Sequence, residues 1–137
     1  MTKSVNIGEI MGNATKAANE FKNFSQEKVD AIVRNVYKAG YNNRIHLAKM
    51  AHEETGIGIW EDKVFKNVVA THFVYNDIKD LKTVGVISEN KEEGIIEIAQ
   101  PIGPIFAITP LTNPTSTILF KILIALKTRN PIIISPH

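Results

Sequence analysis

The chain has 137 residues, no cysteine, 44% hydrophobic and 22% charged residues, and a formal charge of +2. That length supports one core, and the missing thiol excludes a disulfide framework, a Cys-ligated zinc or iron–sulfur site, and a cysteine nucleophile within these residues. Charge is close to balanced along the chain, with 12 basic and 10 acidic groups in residues 1–82 and four of each in residues 83–137, so no basic patch of the kind that tracks phosphates argues for nucleic-acid binding.

The N-terminal stretch MTKSVNIGEIMGN has neither an apolar core region nor a small-residue cleavage site, so no secretory signal is expected. Ala14, Ala17, Ala18 and Phe21 predict a first helix. Val29, Ile32, Val33 and Val36 follow the i, i+3, i+4, i+7 pattern of a second, with Ser25 as N-cap and Gly40 as its stop. Ile45, Leu47, Ala48, Met50 and Ala51 mark a third, closed by Gly56 and Gly58. A fourth starts at the acidic turn Glu61–Asp62 and runs to about Lys79, with Val64, Phe65, Val68, Val69, His72 and Tyr75 as its expected buried stripe.

At Thr83 the period changes. Thr83–Ser88 and Gly94–Gln100 are β-branched and partly alternating around the polar loop Glu89–Glu93, which predicts a hairpin. Pro104–Thr109 and Pro131–Ser135 are short apolar runs of the form taken by strands buried on both faces of a parallel sheet. Neither approaches the roughly 20 residues of a membrane span. Between them Asn113 is placed to cap, and Pro114 to begin, a helix reaching about Thr128. Strand, helix and strand make a βαβ unit with an expected right-handed crossover. The predicted class is α/β: helices over residues 1–80, a hairpin over 83–100 and a βαβ unit over 104–135.

Chemistry concentrates in one place. Gly56-Ile57-Gly58 lacks a third glycine and follows no strand, so it is a helix stop and not a dinucleotide fingerprint. His46, His52, His72 and His137 have no metal-ligand spacing, and no metal is expected. Ser135-Pro136-His137 is no nucleophile constellation. Thr109–Ser116, however, lies where a buried strand ends and a helix begins, the position at which open α/β sheets bind ligands. Two readings of Asn113 stand there: a helix cap, or a carboxamide donating to a developing oxyanion, an interaction worth about 3–4 kcal/mol of transition-state stabilisation.

The segments Gln100-Pro-Ile-Gly-Pro-Ile-Phe-Ala-Ile-Thr-Pro-Leu-Thr-Asn-Pro-Thr-Ser-Thr117 and Leu126-Lys-Thr-Arg-Asn-Pro-Ile-Ile-Ile-Ser-Pro-His137 resemble the N-terminal part of CoA-acylating aldehyde dehydrogenases. The aldehyde dehydrogenase half of the bifunctional aldehyde–alcohol dehydrogenases is the nearest likeness. It extends upstream through Leu47-Ala-Lys-Met50, Glu53-Glu-Thr-Gly56, Glu61-Asp-Lys-Val-Phe-Lys-Asn67 and Lys82-Thr-Val-Gly-Val-Ile87.

The resemblance implies a Rossmann-like NAD-binding domain and a reversible reaction of an aldehyde, NAD and coenzyme A to an acyl-CoA and NADH. A cysteine thiolate outside these residues would supply the nucleophile. It implies Asn113 as the oxyanion donor and Ile108, Thr109, Pro110, Leu111 and Thr112 as the wall beside the nicotinamide. It also implies cofactor contacts at Ser135, Pro136 and His137: Ser135 aligns where non-acylating relatives carry a lysine that touches the adenosine ribose, and with Pro136 and His137 it matches the acylating pattern. It further implies a cytoplasmic homo-oligomer acting on a small aldehyde or acyl-CoA, with the hairpin as an oligomerisation arm and no nucleic-acid or membrane partner. On this reading residues 1–137 are an incomplete N-terminal part, inactive alone, with apolar strand faces left uncovered. The alternative is a non-catalytic interaction module that associates with a full-length homologue.

Overall fold

The computed structural model describes residues 6–137; residues 1–5, where the stretch read for a secretion signal begins, lie outside the described residues. Helix α1 (Ile7–Phe21) opens on Asn6, whose side-chain oxygen accepts from the Glu9 N–H. Helix α2 (Gln26–Asn42) opens on Ser25, whose hydroxyl accepts from the Lys28 N–H. Helix α3 (Arg44–Thr55) ends on Gly56 at φ 64°, a left-handed conformation that glycine adopts without a Cβ clash. The predicted stripe of α2 is the centre of the core: Val29 and Val33 are buried with Phe21 and Leu123, and Ile32 and Val36 pack against them.

Gly40 does not stop α2, which continues to Asn42. It is buried, and a Cβ there would lie 2.6 Å from Leu119 Cδ2 and 3.2 Å from Thr71 Cγ2. The glycine therefore serves a close helix approach, a role that local sequence does not distinguish from a stop. Gly12, inside α1, faces open space: a Cβ there would meet nothing within 4 Å. The same substitution should thus have opposite signs at the two sites. Gly12→Ala should raise stability by about 0.5–1 kcal/mol through helix propensity. Gly40→Ala should lower it by about 1 kcal/mol, because overpacking costs of roughly 1–3 kcal/mol exceed that gain. Denaturant unfolding of both variants measures this, and shifts of the same sign would refute the close-approach role.

The helix predicted from Glu61 to Lys79 is present as α4 (Trp60–Val68), a π-helical turn (Val69–Phe73) and α5 (Val74–Ile78). Its buried side differs from the expected one. Lys63, Asn67, Ala70 and Thr71 are buried, whereas of the expected stripe Val64, Val68, His72 and Tyr75 are half-buried and Phe65 and Val69 are exposed. The inward polar groups have partners: Asn67 is held by groups of α3 and of the chain near residue 115, and the Thr71 hydroxyl donates to the Asn67 carbonyl at 2.6 Å. A hydroxyl taking a carbonyl from the helix ladder accompanies the local widening at this turn.

Strands β1 (Gly85–Asn90) and β2 (Ile95–Ala99) pair antiparallel, with Gly85 opposite Ala99, Asn90 opposite Ile95, and an irregularity between Val86 and Ser88. That bulge is the reason for the imperfect alternation. The hairpin is as predicted, but Glu89 and Asn90 belong to β1, so the turn is residues 91–94. Thr83 precedes the strand and anchors it: its N–H donates to Gln26 Oε1 at 2.8 Å and its hydroxyl to the Lys127 carbonyl at 2.6 Å.

Strands β3 (Ile105–Ile108) and β4 (Ile132–Ser135) are parallel, with Ile105 opposite Ile132 and Ile108 opposite Ser135, and helix α6 (Pro114–Lys127) connects them. This is the predicted strand–helix–strand unit. The expectation of burial on both faces does not hold within the described residues. Ala107 and Thr109 are buried, but Phe106 and Ile108 are 64% and 65% exposed, because two strands and their neighbouring helices cover only part of the sheet. After α6, Arg129 takes φ 58° and donates from its guanidinium to the carbonyls of Lys22 and Ala99. The Asn130 side chain accepts from the N–H groups of Ile102 and Gly103. Together they fix the α6–β4 turn to the end of α1, to β2 and to the approach of β3.

Candidate functional site

The parallel pairing carries β3 and β4 to a common end. Ile108 lies beside Ser135, and the Thr109 N–H donates to the Ser135 carbonyl at 3.0 Å. The candidate wall residues Ile108, Thr109, Pro110, Leu111 and Thr112 thus leave the sheet next to Ser135, Pro136 and His137, at its C-terminal edge. Within the wall only Thr109 is buried; Ile108, Pro110, Leu111 and Thr112 are exposed. Ser135 is half-buried, and Pro136 and His137 are exposed. This is the open edge at which α/β sheets take ligands.

Asn113 follows this wall and precedes Pro114, the first residue of α6. Its main chain, at φ −139° and ψ 59°, is non-helical, and its carbonyl accepts from the Thr117 N–H at 3.2 Å. Its side chain makes no cap hydrogen bond to the first turn. The carboxamide oxygen instead accepts from Lys66 Nζ at 2.8 Å, and Nδ2 makes a long contact of 3.3 Å with Thr112 Oγ1. Asn113 is therefore the cap residue by position, while its amide group faces away from the role a cap performs.

The polar face of α4 grips the whole segment. Lys63, 5% exposed, donates to the Thr112 carbonyl at 2.9 Å. Asn67, fully buried, donates to the Arg44 carbonyl at 2.9 Å and accepts from the Thr115 hydroxyl at 3.0 Å. From the other side Lys121 of α6 donates to the Ile108 carbonyl at 2.7 Å. Three ammonium groups surround the strand-end segment, and α6 directs the positive end of its dipole at the same point. The arrangement favours negative charge.

Asn113 stands between two concavities. A small cleft of about 110 Å³ of mixed character is lined by Ile57, Ile59, Asp62, Lys63, Lys66 and Thr112. On its other side an open groove of about 570 Å³ runs between α4 and α6, lined by Phe65, Val69, Val74, Thr117 and Phe120. The exposed apolar side chains of α4 and the π-helical turn, Phe65 and Val69, are thus part of the wall of a groove that Asn113 also lines. Sequence pattern singles out Asn113 but not Lys63, Lys66 or Asn67. Their i, i+3, i+4 spacing on one helical face is the signal that could have found them.

Comparison with known proteins gives the family. The family model described as "Aldehyde dehydrogenase family" matches residues 1–137. The bifunctional aldehyde-alcohol dehydrogenase of Escherichia coli (strain K12) is 51% identical over all 137 residues, and the chain spans 15% of that protein's length. The acetylating succinate-semialdehyde dehydrogenase of Clostridium kluyveri is 41% identical over the whole chain, which covers 30% of it. The crystal structure of an acetylating aldehyde dehydrogenase from Geobacillus thermoglucosidasius superposes with a TM-score of 0.92 at 46% identity, over 95% of this chain and 29% of that one. The chain belongs to the aldehyde dehydrogenase family.

Proposed function

We propose that these residues form the opening part of the NAD-binding domain of a cytosolic CoA-acylating aldehyde dehydrogenase. The reaction is the reversible conversion of an aldehyde, NAD and coenzyme A to an acyl-CoA and NADH. The observation that carries this reading is the Asn113 carboxamide, free of any capping bond and held at the mouth of an apolar groove. Its chemistry suits an oxyanion: an amide N–H fixed in advance costs no reorganisation as charge develops on a carbonyl oxygen. The groove takes the carbon chain of the aldehyde and places its carbonyl by Asn113. Phe65, Val69 and Phe120 are the groove residues whose size would set chain length.

The sheet edge fits a nicotinamide dinucleotide. Ile108 and Leu111 offer exposed apolar surface against which a ring can lie, and the Ser135 hydroxyl has only a weak 3.4 Å contact with its neighbour's carbonyl, leaving it able to meet a ribose. Ile108 to Thr112 would then orient the nicotinamide, with Ser135, Pro136 and His137 beside the adenosine ribose. When bound, the cofactor supplies the hydride acceptor. Ile95, Ile96 and Ile98 are exposed on the hairpin, which fits an arm that adds a strand to, or packs on, another copy in a homo-oligomer.

The test is an assay of the full-length protein that carries this segment, with a series of aldehydes. NADH formation should require coenzyme A and yield the acyl-CoA. Hydride transfer at full rate without coenzyme A, releasing the free acid, would overturn the acylating reading. The 137-residue segment alone should give no turnover, because it contains no cysteine to form a thioester; turnover by the purified segment would sink the proposal.

A further inference from the structure

The Asn113 carboxamide is useful as a donor only if its nitrogen, and not its oxygen, faces the reacting carbonyl. The two ends of an amide are nearly the same shape, so an isolated asparagine gains little from one orientation over the other. Here a single group breaks the tie. Lys66 Nζ lies 2.8 Å from Oδ1. An ammonium has only donors to offer, so the atom it meets is the acceptor oxygen, and Nδ2 is turned the other way. The one contact at Nδ2 is the 3.3 Å approach to Thr112 Oγ1, which leaves an N–H available.

The neighbouring contacts keep Lys66 in register with its target. Lys63 is one turn back on the same face of α4 and holds the carbonyl of Thr112, the residue before Asn113. Asn67, the residue after Lys66, binds the Thr115 hydroxyl two residues past Asn113. The chain on both sides of the amide is therefore tied to the helix that carries Lys66, through a backbone carbonyl before it and a side-chain hydroxyl after it. A charged donor on Oδ1 also draws electron density from the amide and strengthens its N–H as a donor, with the ammonium itself adding favourable field for an oxyanion.

We propose that Lys66 is a positioning residue of the oxyanion site: its ammonium orients and polarises the Asn113 carboxamide so that Nδ2 donates to the developing negative charge. The assignment rests on the oxyanion role of Asn113. Lys66 is exposed and lies on a helix surface, so its replacement leaves the buried contacts of Lys63 and Asn67 in place.

The experiment is a double-mutant cycle in the full-length enzyme, measuring kcat and the KM for NAD of Lys66→Met, Lys66→Arg, Asn113→Ala and the Lys66→Met/Asn113→Ala pair. Lys66→Met should lower kcat by roughly 10–100-fold, the scale of a misplaced catalytic group, with little change in the KM for NAD. Lys66→Arg, which keeps a charged donor, should restore kcat to within a few-fold. In the Asn113→Ala background Lys66→Met should cost less than about 2-fold, since a group acting through the amide has nothing left to act on. An additive loss in the pair, or an unchanged kcat in Lys66→Met while Asn113→Ala is impaired, would overturn the role of Lys66 alone. An unchanged kcat in Asn113→Ala would overturn the oxyanion reading itself.

Discussion

Replacing Asn113 by alanine in the full-length enzyme should lower kcat by about 10²–10³-fold, the usual consequence of deleting one preorganised oxyanion donor. The same change should alter stability little. Removing a capping side chain typically costs about 1 kcal/mol, but that cost reflects a lost bond to the first helical turn, and Asn113 makes no such bond. Pro114 has no N–H to satisfy and the Asn113 carbonyl, retained by alanine, still accepts from Thr117. Catalysis and stability thus separate the two readings of this residue. A fall in the thermal midpoint with kcat unchanged would establish the cap and remove the donor. Asn113→Asp sharpens the comparison: it keeps the shape and the contact with Lys66 but replaces the N–H donor by an acceptor, and should lose at least as much kcat as alanine.

How far the sequence foretold this site depends on how far apart the interacting residues lie. The start of α6 was legible because Asn113 and Pro114 act within one turn. The core stripe of α2 was legible because Val29 and Val33 repeat at the helical period and are both buried. The position of residues 108–112 at the C-terminal edge of the sheet was legible because strand, turn and helix follow one another in a contiguous segment. By contrast, the fully buried positions of α4 and the turn after it are not legible from local pattern: Val64 and Val68 are half-buried and Phe65 and Val69 exposed. Its apolar residues repeat at helical spacing, but so do Lys63, Asn67 and Thr71, and local pattern favours burying the former. What reverses the choice is a set of partners 23, 48 and 49 residues away, namely the Arg44 carbonyl, the Thr115 hydroxyl and the Thr112 carbonyl. Each satisfies a polar group that would otherwise be costly to bury. The apolar residues displaced to the surface then line the groove. Gly40 failed for the same reason, since its neighbour Leu119 belongs to α6.

A second long-range tie should dominate stability. Lys127, with its side chain 3% exposed, donates to Asp30 Oδ1 at 2.6 Å and to the Lys79 carbonyl at 2.8 Å. Gln26 joins the cluster, donating to Asp30 Oδ1 and accepting from the Thr83 N–H. The start of α2, the end of α5, the approach to the hairpin and the end of α6 therefore meet at one ion pair. Asp30→Ala should cost about 3 kcal/mol, near the lower end for breaking a buried pair. The lower end is expected because Asp30 itself is 31% exposed, so water already screens part of the attraction. The loss should come from the ammonium left buried with one carbonyl acceptor, and not from the missing attraction alone. Lys127→Met in the Asp30→Ala background should then recover most of it, since a thioether chain fills the lysine's path without a charge. Denaturant unfolding of the two variants decides the matter. A loss below about 1 kcal/mol in Asp30→Ala would show that the pair holds little, and a double variant no more stable than the single would show that the stranded charge is not the cause.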